Sequence, residues 1–212
     1  MNKQNACKTV RRKTVVLTAV CLLLLIAAAA ALLLRPAGAD AAERLLARTL
    51  ENGEYSFTAR AVVIVDGVET PYFELCGEVR GDSSSVRGTV LGEKAELSFD
   101  AGVLTQLLPD GREVSHALSD LGELGELYAE LLPASAFEHE GVAGCLRRPG
   151  KYGPEYVLTP ASCGGWVGEY FTDPRYIIGC GPLGLRVRSL TLEAAEKANG
   201  KAQLRLEVSF GR

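Results

Sequence analysis

The sequence predicts an α+β protein in which an N-terminal transmembrane helix precedes a curved, mostly antiparallel β-sheet, a half-barrel with helices on one face. Three observations lead to this prediction. The run Thr14–Leu34 has 21 residues and no charge. Apolar residues alternate with a period of two from Tyr55 onward, which is typical of half-buried strands. Turn sequences that contain glycine recur about every ten residues, which indicates a β-meander.

The run Thr14–Leu34 is long enough to span a bilayer, because its 21 residues at about 1.5 Å each cross a hydrocarbon core of about 30 Å. Five cations precede the run and only Arg35 follows it closely, so residues 1–13 are expected to form a cytoplasmic basic tail. Residues 35–212 then form an extracytoplasmic domain at the cell membrane of a bacterial-type envelope. The alternative is a secretory signal cleaved after Ala39, although a run of this length favours a retained signal anchor.

The charge distribution argues against two kinds of partner. Residues 1–39 carry six cations and no acid, which leaves 17 basic and 26 acidic side chains in the rest of the chain, a net charge of −9. Such a surface repels phosphate backbones and anionic headgroups. We therefore expect no nucleic-acid binding and no attachment to membranes through a polybasic surface.

The extracytoplasmic part is expected to begin with a helix and continue as strands. Leucines recur at helical spacing over DAAERLLARTLENG (residues 40–53), and Asn52-Gly53 provides a C-terminal stop. A long strand starts at Tyr55, and Asp66-Gly67 is typical of a hairpin turn. The turn sequences that follow extend this hairpin into the meander.

A second helix is predicted over SDLGELGELYAELLP (residues 119–133), where Leu121, Leu124, Leu127, Tyr128 and Leu131 fall on one helical face and Pro133 ends the helix. The strands predicted beyond it are Glu155–Thr159, Trp166–Phe171, Tyr176–Ile178 and a final hairpin of Leu185–Ala194 with Ala202–Phe210.

Nine residues of the meander are candidates for an apolar ligand-binding face. They are Tyr55, Phe57, Ala61, Val63, Phe73, Leu75, Val90, Leu97 and Phe99. An inward position fits a ligand cavity and a filled core equally well, so the alternation alone leaves both open.

The order of elements and three segments point to a known family; the segments are YSFTARAVVIVDG, RGTVLGEKAELSFDAGVL and LYAELLPASAF. In both respects the chain resembles the lipoprotein-carrier superfamily, whose members are LolA-like and LolB-like half-barrels. The resemblance covers most of residues 40–210. It implies an open barrel with an apolar concave face and helices as a lid, which holds acyl chains or lipid-modified partners. The predicted span departs from that family, whose carriers are soluble or lipid-anchored, and this favours a tethered binder over a shuttle.

Four cysteines, Cys76, Cys145, Cys163 and Cys180, lie in the extracytoplasmic part. An even number in an exported domain permits two disulfides. The pair Cys163–Cys180 is favoured because it closes a short glycine-rich segment, and it leaves Cys76–Cys145; the alternative is four free thiols. No Cys-x-x-Cys is present and the two histidines have no regular metal spacing, so neither a metal nor a cofactor is expected.

GCGPLG (Gly179–Gly184) satisfies the Gly-x-Gly-x-x-Gly pattern. A dinucleotide site requires a helix directly after it, whereas Leu185 and Val187 alternate with Arg186 and Arg188 as a strand does. We interpret the glycines as turn residues.

A sortase-like transpeptidase is the enzyme alternative, because it also combines a membrane anchor, a β-rich domain and a His, Cys, Arg order. His116 or His139, then Cys163 and Arg175, fit that order. There the thiolate attacks an acyl carbon, the imidazole moves protons and the guanidinium stabilises the oxyanion. LTPASC, which ends at Cys163, departs from the family's Thr-Leu-x-Thr-Cys.

Two non-enzymatic hypotheses therefore come first. One is a tethered module that holds a lipid or a lipidated partner on the apolar sheet face. The other is a structural or interaction domain of the envelope with a filled core.

Overall fold

The computed structural model describes residues 38–50, 54–108, 110–117, 128, 131–198 and 200–211. Three helices and eleven strands lie in these ranges. The helices are α1 (Ala39–Leu50), α2 (Pro133–Ala136) and α3 (Gly165–Tyr170), and the strands are β1 (Tyr55–Val65), β2 (Val68–Arg80), β3 (Ser83–Val90), β4 (Glu93–Asp100), β5 (Val103–Leu107), β6 (Glu113–Ala117), β7 (His139–Pro149), β8 (Pro154–Cys163), β9 (Phe171–Cys180), β10 (Val187–Glu196) and β11 (Ala202–Phe210).

All eleven strands form one open, curved sheet in the order β6-β5-β4-β3-β2-β1-β11-β10-β9-β8-β7, and every recorded pairing is antiparallel. The first six strands form one meander and the last five form another. β1 pairs with β11 and joins the two. The mostly antiparallel, curved sheet with few helices agrees with the predicted fold class.

The predicted hairpin turn at Asp66-Gly67 is present. Asp66 has φ 51° and Gly67 has φ 79°, the left-handed pair that a two-residue type I′ turn requires. The glycine pattern begins on β9, where Gly179 pairs with Ser189, and only Gly181–Gly184 lie in the connection between β9 and β10. The interpretation as turn sequence therefore holds for Gly181 and Gly184, and not for Gly179.

One face of the first meander is mainly apolar. Phe57 pairs with Gly77, Gly77 with Val86, and Val86 with Leu97. Since residues directly opposite in neighbouring strands point to the same side, these side chains share one face. The buried residues of the second meander join them in a single core cluster.

The other face carries charged side chains in cross-strand pairs. Arg60 Nε donates to Glu74 Oε1 at 3.1 Å, and Arg205 Nη1 donates to Glu69 Oε1 at 3.0 Å. Each such exposed pair contributes little stability, about 0–1 kcal/mol. Their main effect is to fix which face of the sheet meets water.

Helix α1 covers the second meander. It carries acidic Asp40 in its first turn and basic Arg48 in its last, which complements the helix dipole. It buries Ala41, Ala42 and Leu46 and contacts β7, β8 and β10. The predicted first helix is therefore confirmed, and its predicted stop at Asn52-Gly53 lies outside the described residues.

The predicted strand Trp166–Phe171 is wrong, because residues 165–170 form helix α3. Gly165 has φ +53°, and the Gly168 amide donates to the Gly164 carbonyl at 3.0 Å. A Cβ at Gly168 would strike the carbonyl oxygen of Cys163. Glycines at these positions allow a tight helical turn that the apolar alternation does not reveal.

The helix predicted to end at Pro133 is described only near its end. Leu131 is helical and Leu132 is not, and Pro133 then begins the separate helix α2, as its fixed φ favours the first turn. Most of the predicted helix 119–133 lies outside the described residues, which include only Tyr128 and residues 131–133 of it. Strand β7 was not predicted, because HEGVAGCLRRP has three glycines or prolines and no apolar alternation.

The predicted transmembrane helix, Thr14–Leu34, lies outside the described residues, as do the basic tail and the start of the extracytoplasmic domain. Among the residues that are described, no helix has both the length and the apolar character needed to cross a bilayer.

Gly77 offers a test of how tightly the apolar face is packed. The Phe57 ring lies over Gly77, and a Cβ there would come within 2.8 Å of Phe57 Cζ and strike the Ser85 carbonyl oxygen. We expect Gly77→Ala to lower the free energy of unfolding by about 1–3 kcal/mol through overpacking, measured by urea denaturation. Gly144→Ala on β7 is the control, since nothing lies within 4 Å of its added Cβ. Equal losses in both variants would contradict this packing.

Candidate functional site: an apolar sheet face with a half-open rim

Most of the predicted ligand-binding residues are buried on the apolar face. Phe57, Ala61, Phe73, Leu75 and Leu97 have between 0% and 7% of their surface exposed. Tyr55, Val90 and Phe99 are half-buried and pack against the same cluster, and Val63 is half-buried outside it. The sequence pattern therefore located one contiguous surface, covered in this structure and not an open cavity.

Three more residues complete this face, and the sequence-based candidate set omitted them. Ala59, Val86 and Leu104 are buried, with 5%, 2% and 0% exposure. Ala59 and Val86 occupy the same alternating positions of β1 and β3 as predicted residues, so the period of two contained their signal. Leu104 lies on β5, where no residue was predicted, opposite Phe99.

One half-buried end of the face lies beside α1, and we call it the apolar rim. It consists of Tyr55, Val79 and Phe99 at the matching ends of β1, β2 and β4, with Leu45 of α1 beside Tyr55. All four are half-buried and pack against the core. The strand ends align because the register pairs Tyr55 with Val79, Val79 with Ser84 and Ser84 with Phe99.

Tyr55 is the polar group of the rim. Its ring meets the Phe210 ring edge-on, with 5.3 Å between centroids. Burial raises the pKa of Tyr55 to about 12, so it stays a neutral phenol at physiological pH. The rim therefore presents no charge of its own.

Tyr128 lies over the outer strands of the apolar face. Its hydroxyl is 2.7 Å from Ser84 Oγ, and its ring centroid is 6.3 Å from that of Phe99. One hydrogen bond of this kind contributes about 0.5–1.5 kcal/mol. The Tyr128 ring thus packs near Phe99 at the rim.

The open volume of the first meander is on the opposite, hydrophilic face. A depression of about 700 Å³ there is lined by hydroxyl and charged side chains, among them Ser85, Ser98, Glu78 and Glu96. Arg87 Nε donates to Cys76 Sγ at 3.4 Å within it. This polar depression is not the apolar cavity that the sequence led us to expect.

The predicted disulfide Cys163–Cys180 is wrong. β8 and β9 pair so that Glu155 faces Gly179 and Leu158 faces Tyr176. Cys180 therefore lies beside the start of β8, whereas Cys163 ends that strand, about 26 Å away at about 3.3 Å per residue. A disulfide requires Cα atoms within about 7 Å.

The predicted disulfide Cys76–Cys145 is also not formed. All four cysteines are free thiols. Cys76 lies on β2 and Cys145 on β7, strands that are not neighbours in the sheet. The reason both pairings failed is that strand register, and not spacing along the chain, decides which cysteines meet.

Two residues of the sortase-like order lie next to each other in the structure. His139 and Cys163 are directly paired between β7 and β8. However, His139 Nδ1 is bonded to the Phe137 carbonyl at 2.9 Å, and Cys163 Sγ lies 3.0 Å from the Tyr176 hydroxyl. Arg175 precedes the inward Tyr176 on β9, so its side chain leaves from the opposite face.

The alternative histidine and the state of the thiol do not complete a catalytic arrangement. His116 lies on β6, at the opposite edge of the sheet from the β7–β8 pair. Burial raises the pKa of the Cys163 thiol, an effect that the Tyr176 hydroxyl partly offsets. A nucleophilic cysteine requires the reverse shift. The described geometry thus offers a half-buried thiol beside a histidine, without the arginine of that order.

No protein-family model matches the sequence, and no curated protein matches it. Among solved structures, the chain is similar to the crystal structure of a LolA superfamily protein, NE2245 from Nitrosomonas europaea, at 8% identity, with 80% of this chain and 90% of that chain covered and a TM-score of 0.37. It is also similar to a DUF1329 family protein from Desulfovibrio piger ATCC 29098, at 9% identity, with 80% and 89% covered and a TM-score of 0.30. These likenesses carry no inference about the function of this chain.

The cysteines should differ in their rates of alkylation. Burial raises the pKa of Cys180 to about 11, and its residue is 1% exposed, so little thiolate is available near pH 8. Cys76 lies half-exposed on the hydrophilic face beside Arg87. We expect iodoacetamide to modify Cys76 at least about tenfold faster than Cys180, measured by peptide mass spectrometry of the folded chain. An intact mass lower by four hydrogens would instead reveal two disulfides.

Proposed function

We propose that this chain is a membrane-tethered, extracytoplasmic binding protein of a bacterial-type envelope, which holds a lipid or a lipid-modified partner on the apolar face of β1–β5. The carrying observation is the mainly apolar face across these five strands, which Ser84 and Gln106 interrupt, with the paired charges on the opposite side. No described residue with a charged side chain is buried. A surface of this composition favours a ligand that offers hydrocarbon and no hydrogen bonds.

The apolar rim is the proposed entry for such a ligand. Its side chains are already half-buried and lead directly to the fully buried Phe57 and Leu97. Each methylene group that moves from water to this face contributes about 0.8 kcal/mol. Two or three methylene groups thus offset the hydrogen bond of Tyr128 that the ligand displaces.

The tether is supported by the sequence alone. The uncharged run Thr14–Leu34 and the cations before it favour a single span with a cytoplasmic N-terminus. The binding function requires no covalent step, and the raised pKa of Cys163 gives the chain no activated thiol at that position. We therefore propose that the protein is not an enzyme.

A second candidate is a structural or interaction domain of the envelope with a filled core. It is favoured by the low exposure of the predicted ligand residues, such as 0% for Ala61 and 2% for Phe57. In this alternative the apolar face serves only to stabilise the sheet, and no lipid reaches it.

Photocrosslinking in the full-length chain separates the two candidates. The photoreactive residue p-benzoylphenylalanine would replace Phe99 at the rim, where an aromatic ring already fits. After irradiation of intact cells, we expect adducts with the mass of a lipid on the β4 peptide, because a ligand chain lies against this ring. Intact-protein and peptide mass spectrometry detect them.

The matched control places the same residue at Ser98, the adjacent position that points to the hydrophilic face. It should yield several-fold less lipid adduct. Only intramolecular crosslinks at position 99, or equal lipid adducts at both positions, would contradict the binding function and favour the filled core.

A further inference from the structure

A pocket of about 370 Å³ opens between the end of α1 and the ends of β1, β10 and β11. We call it the basic mouth, and its walls contain three guanidinium groups, those of Arg48, Arg186 and Arg188. We propose that the basic mouth binds the anionic headgroup of a membrane phospholipid whose acyl chain lies along the apolar rim. This inference rests on the proposed lipid-binding function and specifies the class of lipid.

The three guanidinium groups are available to a ligand. Six other arginines form ion pairs with carboxylates, namely Arg44, Arg60, Arg80, Arg112, Arg148 and Arg205. Within the described part of the chain, no ion pair or side-chain hydrogen bond involves Arg48, Arg186 or Arg188. Guanidinium groups bind phosphate oxygens through parallel N–H donors, with charge assistance.

The charge balance inside the pocket also favours an anion. Glu54 is the single carboxylate among the described lining residues, against three arginines. This local excess of positive charge contrasts with the net −9 of the chain after residue 39. The phosphodiester of a lipid headgroup, with one negative charge, would reduce this local excess of two positive charges to one.

The floor of the basic mouth is apolar and continuous with the rim. Tyr55, Val187 and Phe210 line it, and all three pack in or against the core cluster. Tyr55 also contacts Phe57, with 6.0 Å between ring centroids. A molecule bound to the arginines therefore has a hydrocarbon surface directly beside its headgroup, which a free inorganic anion does not need.

The outer wall indicates that the ligand comes from a bilayer. Leu183 and Leu185 are 64% and 65% exposed in the connection between β9 and β10, directly before Arg186. Exposed leucines beside arginines are typical of surfaces that contact anionic membranes. This combination selects a membrane phospholipid over a soluble phosphate compound.

The test uses the full-length chain with p-benzoylphenylalanine in place of Phe99, reconstituted in liposomes with equal amounts of phosphatidylglycerol and phosphatidylcholine. We expect phosphatidylglycerol adducts to exceed phosphatidylcholine adducts by about tenfold, the effect of one or two charge-assisted hydrogen bonds. The double variant R186Q/R188Q should reduce this ratio to about one. The matched control, R147Q/R175Q, removes the same charge away from the mouth and should keep the preference.

The outcomes separate this inference from the proposed function. If neither lipid forms an adduct, the lipid-binding function itself fails. If both lipids react equally with the unmutated mouth, or if R147Q/R175Q abolishes the preference as R186Q/R188Q does, only the headgroup assignment is overturned. Loss of the preference in excess inorganic phosphate would identify a site for free anions and would also overturn it. Unchanged thermal unfolding of both double variants confirms that they are folded.

Discussion

The pairing of β1 with β11 joins the two halves of the sheet, and the apolar face depends on it. Its register runs from Phe57 opposite Phe210 to Val65 opposite Ala202. Because β11 is the last strand of the chain, this pairing closes a long loop and carries a high entropic cost. Burial of Leu204, Leu206 and Val208, each no more than 2% exposed, offsets that cost. The core cluster contains buried residues of both meanders and therefore crosses this seam, whereas the apolar face of β1–β5 lies within the first meander.

The same pairing also places the charged side chains on one face of the sheet and the apolar side chains on the other. Arg60 lies opposite Glu74 on one side and Glu207 on the other, so the hydrophilic face is matched across the seam as well. A slip of one residue would turn Arg60 toward the core and Phe57 toward water. The charged face therefore acts mainly as a determinant of register, and the depression on it need not be a binding site. This division leaves the apolar side and its rim as the surface on which a hydrocarbon ligand fits.

The local sequence patterns predicted the first meander, because each strand there is half-buried and each turn is short. The alternation through Phe57 and Leu75 fixed the inner face, and Asp66-Gly67 fixed the first turn. The second half was less predictable. Helix α3 depends on glycines that permit a tight turn, and β7 joins the sheet without an apolar alternation of its own. The predicted disulfide was wrong because it depends on tertiary structure. Only the β8–β9 register shows that Cys163 and Cys180 lie at opposite ends of a strand.

The basic mouth could not be predicted from the sequence, because Arg48 approaches Arg186 and Arg188 only after α1 packs on the sheet. The total charge predicted the opposite, because the net charge of −9 after residue 39 repels anionic headgroups. This net charge and the local charge of the pocket act over different distances. Exposed charges are screened beyond about 8 Å at physiological ionic strength, so the acidic surface has little influence inside the pocket. There, the guanidinium groups lie beside an apolar floor, so their contacts with an anion are weakened less by the solvent than those of isolated surface charges. An acidic domain with one basic, apolar-floored pocket thus avoids general adsorption to anionic membranes and still binds a single anionic lipid.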